Sequence, residues 1–135
     1  MLDWAYQPFA LRLGAIVGTW LAGKYHQGLV CGYTADGEAI VMSISIWKGF
    51  ATEPLSRFVG PQGLVEASYP SDLSGEQVLA RARSVSDLPY DLGLWNCQHF
   101  VRHAHGLRVE SPQASAAAKA ALAISGFFAL LALVD

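Results

Sequence analysis

The sequence predicts an α+β fold in which an antiparallel sheet packs against a helix that carries a cysteine. An apolar stretch over residues 25–46 is interrupted by Asp36-Gly37, the strongest short turn signal in the chain. Further along, Ser74 and Asn96 each precede a segment with helical apolar spacing, as N-capping residues do. At 135 residues, the chain has the length of one domain with its own core.

The composition favours an apolar surface somewhere on this domain. Hydrophobic residues make up 53% of the chain and charged residues only 15%, which suggests contact with a membrane, a lipid or a partner. The net charge of -2, with scattered Lys and Arg, gives no support to nucleic-acid binding. Two cysteines, Cys31 and Cys97, do not form a disulfide framework; one bridge between them stays open, but free thiols are expected. Residues 1–8 lack the basic start of a secretory signal. A reducing, cytoplasmic location is therefore expected.

Two segments near the start of the chain are predicted to be extended. The apolar run over residues 13–22 is short and broken by glycines, which indicates a buried strand or loop. Residues 25–46 are predicted to form a β-hairpin with a two-residue turn at Asp36-Gly37. The paired positions are then Ala35 with Glu38, Tyr33 with Ile40, Val30 with Ser43, Gly28 with Ser45 and His26 with Trp47.

Alternation along the hairpin separates two kinds of surface. One face holds a mixed set, namely His26, Gly28, Val30, Ser43, Ser45 and Trp47. The other is entirely apolar and is the better candidate for the core, with Leu29, Cys31, Ile40, Met42, Ile44 and Ile46. Cys31 is accordingly predicted to be a structural thiol, and Gly28 is expected to leave open space beside His26.

Two helices are predicted after the strands. Ser74 with Gln77 three residues later forms a capping box, and Val78, Leu79, Ala82 and Val85 supply an apolar stripe. A loop over residues 87–93 separates this helix from a second one, from about Asn96 to His105, which ends at Gly106.

The C-terminal segment, residues 114–135, differs from the rest and is called the tail below. It is almost wholly apolar, so we divide the chain into a domain over residues 1–113 and the tail. The part after Lys119 would span about 22 Å as a helix, against roughly 30 Å of hydrocarbon. Counting from Ala114 gives about 31 Å but buries Lys119. A membrane anchor, an in-plane helix and a helix packed on the domain's own core all stay open.

Cys97 is the leading candidate for chemistry because it stands at the predicted start of a helix. An Asn96 cap exposes the following amides, which can lower a thiol pKa and hold an oxyanion. His26 is a candidate base, since a Cys–His pair needs closeness in space and not in sequence. The alternative is a buried structural cysteine beside Trp95 and Phe100.

The histidines around Cys97 do not predict a metal site. His99 and His103 have the i, i+4 spacing of a helical ligand pair, but Cys97 and His99 point to different sides of a helix. No second cluster completes a site, so neither a metal nor a cofactor is expected. His99 is predicted to be structural, while His103 and His105 are expected on a solvated face near the helix C-terminus, where positive charge is favourable.

The segment Asn96-Cys97-Gln98-His99-Phe100-Val101 resembles the Asn-Cys-Glu-His-Phe motif of the lecithin retinol acyltransferase family. Weaker likenesses cover roughly residues 10–113, at residues 13–17, 25–30, 55–58, 89–92 and 106–113. The resemblance implies a circularly permuted NlpC-type papain-like fold, and a hydrophobic tail is common among animal members.

The same resemblance assigns roles to three residues. Cys97 would be the nucleophile and His26 its general base. Ser43 stands where the family has a second, orienting histidine, and Gln98 replaces the family's glutamate. Serine is a weak orienter of an imidazole, so a catalytically weakened protein is an open alternative.

These observations give three competing functional hypotheses. The first is a thiol-dependent acyl hydrolase or acyltransferase that acts on a lipid ester and associates with membranes through the tail. The second is a cysteine peptidase or amidase of the same superfold, with shared site residues. The third is a membrane-associated binding module that has lost turnover, for which Ser43 is the main argument. The acyl donor, the acceptor and the oligomeric state are not determined by the sequence.

Overall fold

The computed structural model describes residues 11–108, which form a five-stranded antiparallel sheet and three helices. The α+β class and the cysteine-bearing helix are confirmed. The order of the strands in the sheet is β4-β3-β2-β1-β5. In chain order, the elements are β1 (Ile16–Leu21), β2 (Lys24–Tyr33), β3 (Ala39–Ser45), β4 (Gly49–Pro54), α1 (Leu55–Phe58), β5 (Leu64–Ser68), α2 (Gly75–Arg83) and α3 (Cys97–Ala104).

The β2–β3 hairpin turns through more than two residues, so the predicted two-residue turn is wrong. Thr34 N–H donates to Glu38 O at 2.8 Å, and Gly37 N–H donates to Thr34 O at 3.0 Å. The loop between these two paired residues is therefore Ala35-Asp36-Gly37. Gly37 has a φ of 90°, in the left-handed region that costs glycine nothing. The additional loop residue places Tyr33 opposite Ala39.

A second register shift lies between Val30 and Gly32, at Cys31. The two shifts together move the pairing by two residues from the prediction, so Val30 lies opposite Val41 in place of Ser43. Because side chains alternate with a period of two, a two-residue slip leaves the faces unchanged. The predicted division of β2 and β3 into two faces therefore survives although the predicted pairs do not.

Both faces of the sheet are buried, each by a different apolar layer. Helices α2 and α3 cover one face, and the layer there is called the helix-side core, with Ile16, Leu29, Met42, Ile44, Val78, Leu79, Ala82, Cys97, Phe100, Val101 and Ala104. The opposite face, expected to be the lesser candidate, is packed as well. Its layer is called the second core, with Leu11, Ala15, Val17, Val30, Ala39, Val41, Leu55, Phe58 and Leu64.

The predicted helix starts are confirmed by their caps, but α2 ends at Arg83, so Val85 of the predicted stripe lies beyond the helix. Ser74 and Gln77 form the expected capping box of α2, with Gln77 N–H donating to Ser74 Oγ at 3.1 Å. Asn96 is the N-cap of α3, and the helix ends before Gly106, whose φ of 70° suits a glycine terminator.

The tail and the proposed boundary at residue 113 lie outside the described residues. Within residues 11–108, no helix is both long enough and apolar enough to cross a membrane.

Candidate functional site

The start of α3 is fixed by reciprocal hydrogen bonds around Asn96. Its side-chain oxygen accepts from the N–H groups of Gln98 at 2.9 Å and His99 at 3.2 Å. In return, His99 Nδ1 accepts from the Asn96 N–H at 3.0 Å. His99 thus has the structural role that was predicted, and Cys97 is held at the first position of the helix.

The Cys97 thiol is buried against β2, with only 4% of the residue exposed. Its Sγ lies 3.8 Å from the carbonyl oxygen of Tyr25. Burial raises the pKa of the thiol, while the N–H groups of Gln27, Gln98 and Cys97 itself act to lower it. Burial is the larger influence, so the pKa of Cys97 is raised and the expectation of a lowered pKa is wrong. The resting sulfur is a neutral thiol at neutral pH.

His26 packs against the second core through its ring. The imidazole lies against Phe58, with ring centroids 4.9 Å apart and planes inclined by 31°. Burial lowers the pKa of His26, Glu53 opposes that shift and Lys48 adds to it. No hydrogen bond in residues 11–108 joins the imidazole to the Cys97 thiol.

The alternation of β2 explains this separation. Tyr25 and Gln27 flank His26 in sequence, and both side chains hydrogen-bond Glu66 on the face covered by α3. Cys97 belongs to the same face as a member of the helix-side core. His26 therefore points to the opposite face, where its neighbour Phe58 lies.

One small cavity is nevertheless bordered by both residues. It has a volume of about 60 Å³ and opens at the end of the sheet, where β2 begins and β3 ends. Most of its wall is apolar or aromatic, and Lys24 is its only charged lining residue. The remaining lining residues are Leu21, Tyr25, His26, Ile44, Ser45, Ile46, Trp47, Tyr90, Leu92 and Cys97. This space is called the Cys97 cavity.

Ser43 is buried on the His26 face, and there is no open space beside it. A Cβ at Gly28 would lie 2.5 Å from Val41 Cγ1 and 3.2 Å from Ser43 Cβ. The expectation that Gly28 leaves room next to His26 is therefore wrong. The other candidate orienter, Ser45, accepts a hydrogen bond from the Lys48 N–H at 3.0 Å.

A polar network beside Cys97 was missed in the sequence. Glu66 accepts hydrogen bonds from the Tyr25 hydroxyl, from Gln27 Nε2 at 2.9 Å and from Ser68 Oγ at 2.8 Å. Burial, reinforced by Glu66, raises the pKa of Tyr25. The network fixes the two β2 residues whose backbone groups face the sulfur. Their i, i+2 spacing was visible in the sequence, but the partner 41 residues away in β5 was not.

The remaining histidines are placed by packing. His105 was expected on a solvated face, but it is buried, with Nε2 donating to Gly14 O at 2.7 Å. Nδ1 then accepts from Ser71 Oγ at 2.6 Å, because a carbonyl can only accept and the ring is neutral. His103 is half-buried with its ring edge toward Trp95. Within residues 11–108, no three His, Cys, Asp or Glu side chains are grouped to hold a metal ion.

The chain matches no protein-family model, no curated protein and no solved structure. The resemblance to the lecithin retinol acyltransferase family consequently stays a prediction, carried by the motif around Cys97. The geometry of the Cys97 cavity is therefore the main basis for assigning a function.

Proposed function

We propose that this protein is a thiol-dependent acyl hydrolase or acyltransferase that acts on a lipid ester, with a permuted papain-like arrangement of sheet and helix. One observation carries the proposal. Cys97 begins a helix, is faced by backbone N–H groups, and borders a mostly apolar cavity together with His26. A thiol, oxyanion donors, a base and an apolar wall are the parts that acyl transfer from a lipid needs.

In the proposed reaction, Cys97 Sγ attacks the ester carbonyl and its proton passes to His26. The carbonyl oxygen becomes an oxyanion beside the N–H groups of Gln27 and Cys97, which face the sulfur, since the Gln98 N–H already donates to Asn96 Oδ1. Collapse breaks the ester C–O bond, and the imidazolium protonates the leaving alkoxide. Water, an alcohol or an amine then attacks the thioester carbonyl and transfers a proton to His26. Collapse breaks the C–S bond, and the imidazolium returns its proton to Sγ, which restores the thiol.

The burial of both groups defines how the pair would work. Burial raises the pKa of Cys97 and lowers that of His26, so both are neutral before substrate enters. Proton transfer then accompanies attack, as with a serine nucleophile, and no thiolate–imidazolium pair exists beforehand. For this step, the His26 ring has to turn from Phe58 toward the cavity that both residues border.

The lining of the cavity favours an acyl chain over a peptide. Leu21, Ile44 and Ile46 supply aliphatic surface, with aromatic rings from Tyr90 and Trp47. Apolar groups gain about 25 cal/mol for each Å² removed from water, so a wall of this kind favours a hydrocarbon substituent. The cavity is small for a whole lipid, and only the atoms next to the carbonyl would occupy it.

An activated long-chain acyl ester, followed by mass spectrometry of the intact protein and its peptides, tests the proposal. We expect the acyl mass on Cys97, loss of labelling in Cys97→Ser and slower labelling in His26→Gln. Cys31 is the internal control, since it is a half-buried thiol whose pKa burial also raises. Labelling of Cys31 as fast as Cys97 would overturn the proposal, and unchanged labelling in His26→Gln would remove the role of His26.

A binding module without turnover is the second candidate, and the contact between His26 and Phe58 favours it. If this contact is permanent, Cys97 has no base, and Ser43 supplies no orienting ring. Ser43→His separates the two candidates, with Ser43→Leu as a control for size. Faster acylation in Ser43→His alone indicates a weakened enzyme, whereas no turnover by any variant supports the binding module.

A further inference from the structure

Four large apolar side chains stand out from the protein around the mouth of the Cys97 cavity. Ile46 is 66% exposed, Trp47 64% and Leu94 79%, and Leu92 is exposed beside them. Three of the four line the cavity, and Leu94 lies two residues beyond Leu92 in the same turn. These four residues are called the apolar rim.

The rim is held outward by two hydrogen-bonded turns. Asp91 and Trp95 exchange backbone hydrogen bonds of 2.7 and 2.8 Å, and Asp91 Oδ1 accepts from the N–H groups of Gly93 and Leu94 at 2.9 Å. The other turn joins β3 to β4, where Ser45 Oγ accepts from Lys48 N–H. Both turns are closed by their own hydrogen bonds, so the backbone that carries these exposed side chains has a defined conformation.

The charged residues near the rim indicate which kind of surface it binds. Lys24 is the only charged residue that lines the cavity, and it is exposed. Lys48 follows Trp47 directly, but its ammonium is paired with Glu53 Oε2 at 2.9 Å. The nearest acid in the rim turns, Asp91, directs an oxygen to backbone N–H groups. Leucine and isoleucine side chains with an exposed tryptophan and a nearby lysine are typical of surfaces that enter a lipid headgroup region.

We propose that the apolar rim docks on the surface of a lipid bilayer and presses the mouth of the Cys97 cavity against it. Rim side chains then replace water at the mouth, and an ester lipid can reach Cys97 without leaving the bilayer. The lipid's access to the thiol rests on the proposed function, whereas the docking itself depends only on the rim. Lys24, which lines the cavity and is exposed, favours a bilayer that contains anionic lipid.

Trp47 provides a direct measurement in the full-length protein. We would mix it with phosphatidylcholine vesicles, with and without phosphatidylserine, in which some acyl chains are brominated. Subtracting the emission of Trp47→Phe isolates Trp47 from the chain's other three tryptophans, since there are four in all. We expect bromolipid to quench the Trp47 emission and vesicles to shift it to the blue.

Charged substitutions test whether the rim contributes to affinity. Leu94→Glu is expected to weaken vesicle binding about tenfold, because it removes one leucine from the lipid contact and adds a charge. Val65→Glu is the matched control, since Val65 is 47% exposed on β5, an edge strand separated from β3 by β1 and β2. It should bind vesicles as the parent chain does.

Several outcomes would overturn the proposal. One is vesicle flotation without Trp47 quenching and without an effect of Leu94→Glu, which would assign the attachment to the tail. Another is blue-shifted Trp47 emission before vesicles are added, which would show that protein already covers the rim. The Cys97→Ser chain separates this proposal from the proposed function. It should dock unchanged while losing acyl labelling, and docking by a parent chain that is never acylated would refute only the proposed function.

Discussion

The two apolar layers of this protein surround their polar residues with different groups. In the helix-side core, Cys97 lies among backbone N–H and carbonyl groups, beside the Tyr25–Gln27–Glu66 network. In the second core, His26 rests on the ring of Phe58. Burial disfavours charge on both groups, but backbone N–H groups partly oppose it at the thiol. A Cys–His pair divided between two layers can act only at their common border, which is the Cys97 cavity.

The largest expected effect, on stability, comes from removing a large side chain from the second core. Phe58→Ala should reduce the free energy of unfolding by about 3–5 kcal/mol, because Phe58 is fully buried. It should also raise the pKa of His26 toward its ordinary value, since water would reach the ring. Urea unfolding and NMR titration of the histidine measure the two effects. Phe100→Ala, in the helix-side core, is the control and should cost similar stability without changing the His26 titration. An unchanged His26 titration in Phe58→Ala would show that the ring is not held there.

A smaller effect is expected where the second core meets the sheet. Gly28→Ala should cost about 1–3 kcal/mol of unfolding free energy, since its Cβ would lie 2.5 Å from Val41 Cγ1 and 2.8 Å from Met42 O. Gly32→Ala on the same strand is the control, because a Cβ there would lie 4.0 Å from its nearest neighbour, Ile40 Cδ1. Equal stability of the two variants by thermal denaturation would contradict the packing described around His26.

The smallest effect is the pH dependence of stability. Burial lowers the pKa of His26, so the unfolded chain binds its proton more readily than the folded one. Stability should therefore fall as the pH drops below about 6.5, the ordinary pKa of histidine. His99, His103 and His105 shift in the same direction and add to the slope. Urea midpoints between neutral and mildly acidic pH measure it, and His26→Gln should make the slope shallower. The same slope in both chains would exclude His26 as a contributor.

Structural features that depend on a short stretch of sequence were predictable. The caps at Ser74 and Asn96, the end of α3 before Gly106 and the structural role of His99 each depend on residues a few positions apart. Local hydrogen bonds and φ preferences determine such features, so the identity of one or two residues is enough to predict them. The faces of β2 and β3 were predictable for the same reason, because alternation is a local property.

Contacts between distant segments were not predictable. The shift at Cys31 and the longer loop changed every pair in the hairpin, although Asp36-Gly37 correctly marked its turn. The contact of His26 with Phe58 depends on how α1 folds over the sheet, which no residue near His26 encodes. The motif around Cys97 does not determine whether Cys97 and His26 lie on the same side of the sheet. That depends on how α3 packs against β2.

The hydrogen bond from His105 to Gly14 has a consequence for synthesis of the protein. Its two residues are 91 positions apart, and Gly14 leads directly into the central region of the sheet. At about 5–20 residues per second, a ribosome takes roughly 5 to 20 s to make the chain between them. During that interval, the face of β2 and β3 against which α3 packs is not covered by this helix. We therefore expect nascent chains to be exposed to aggregation and to chaperone capture until α3 is made.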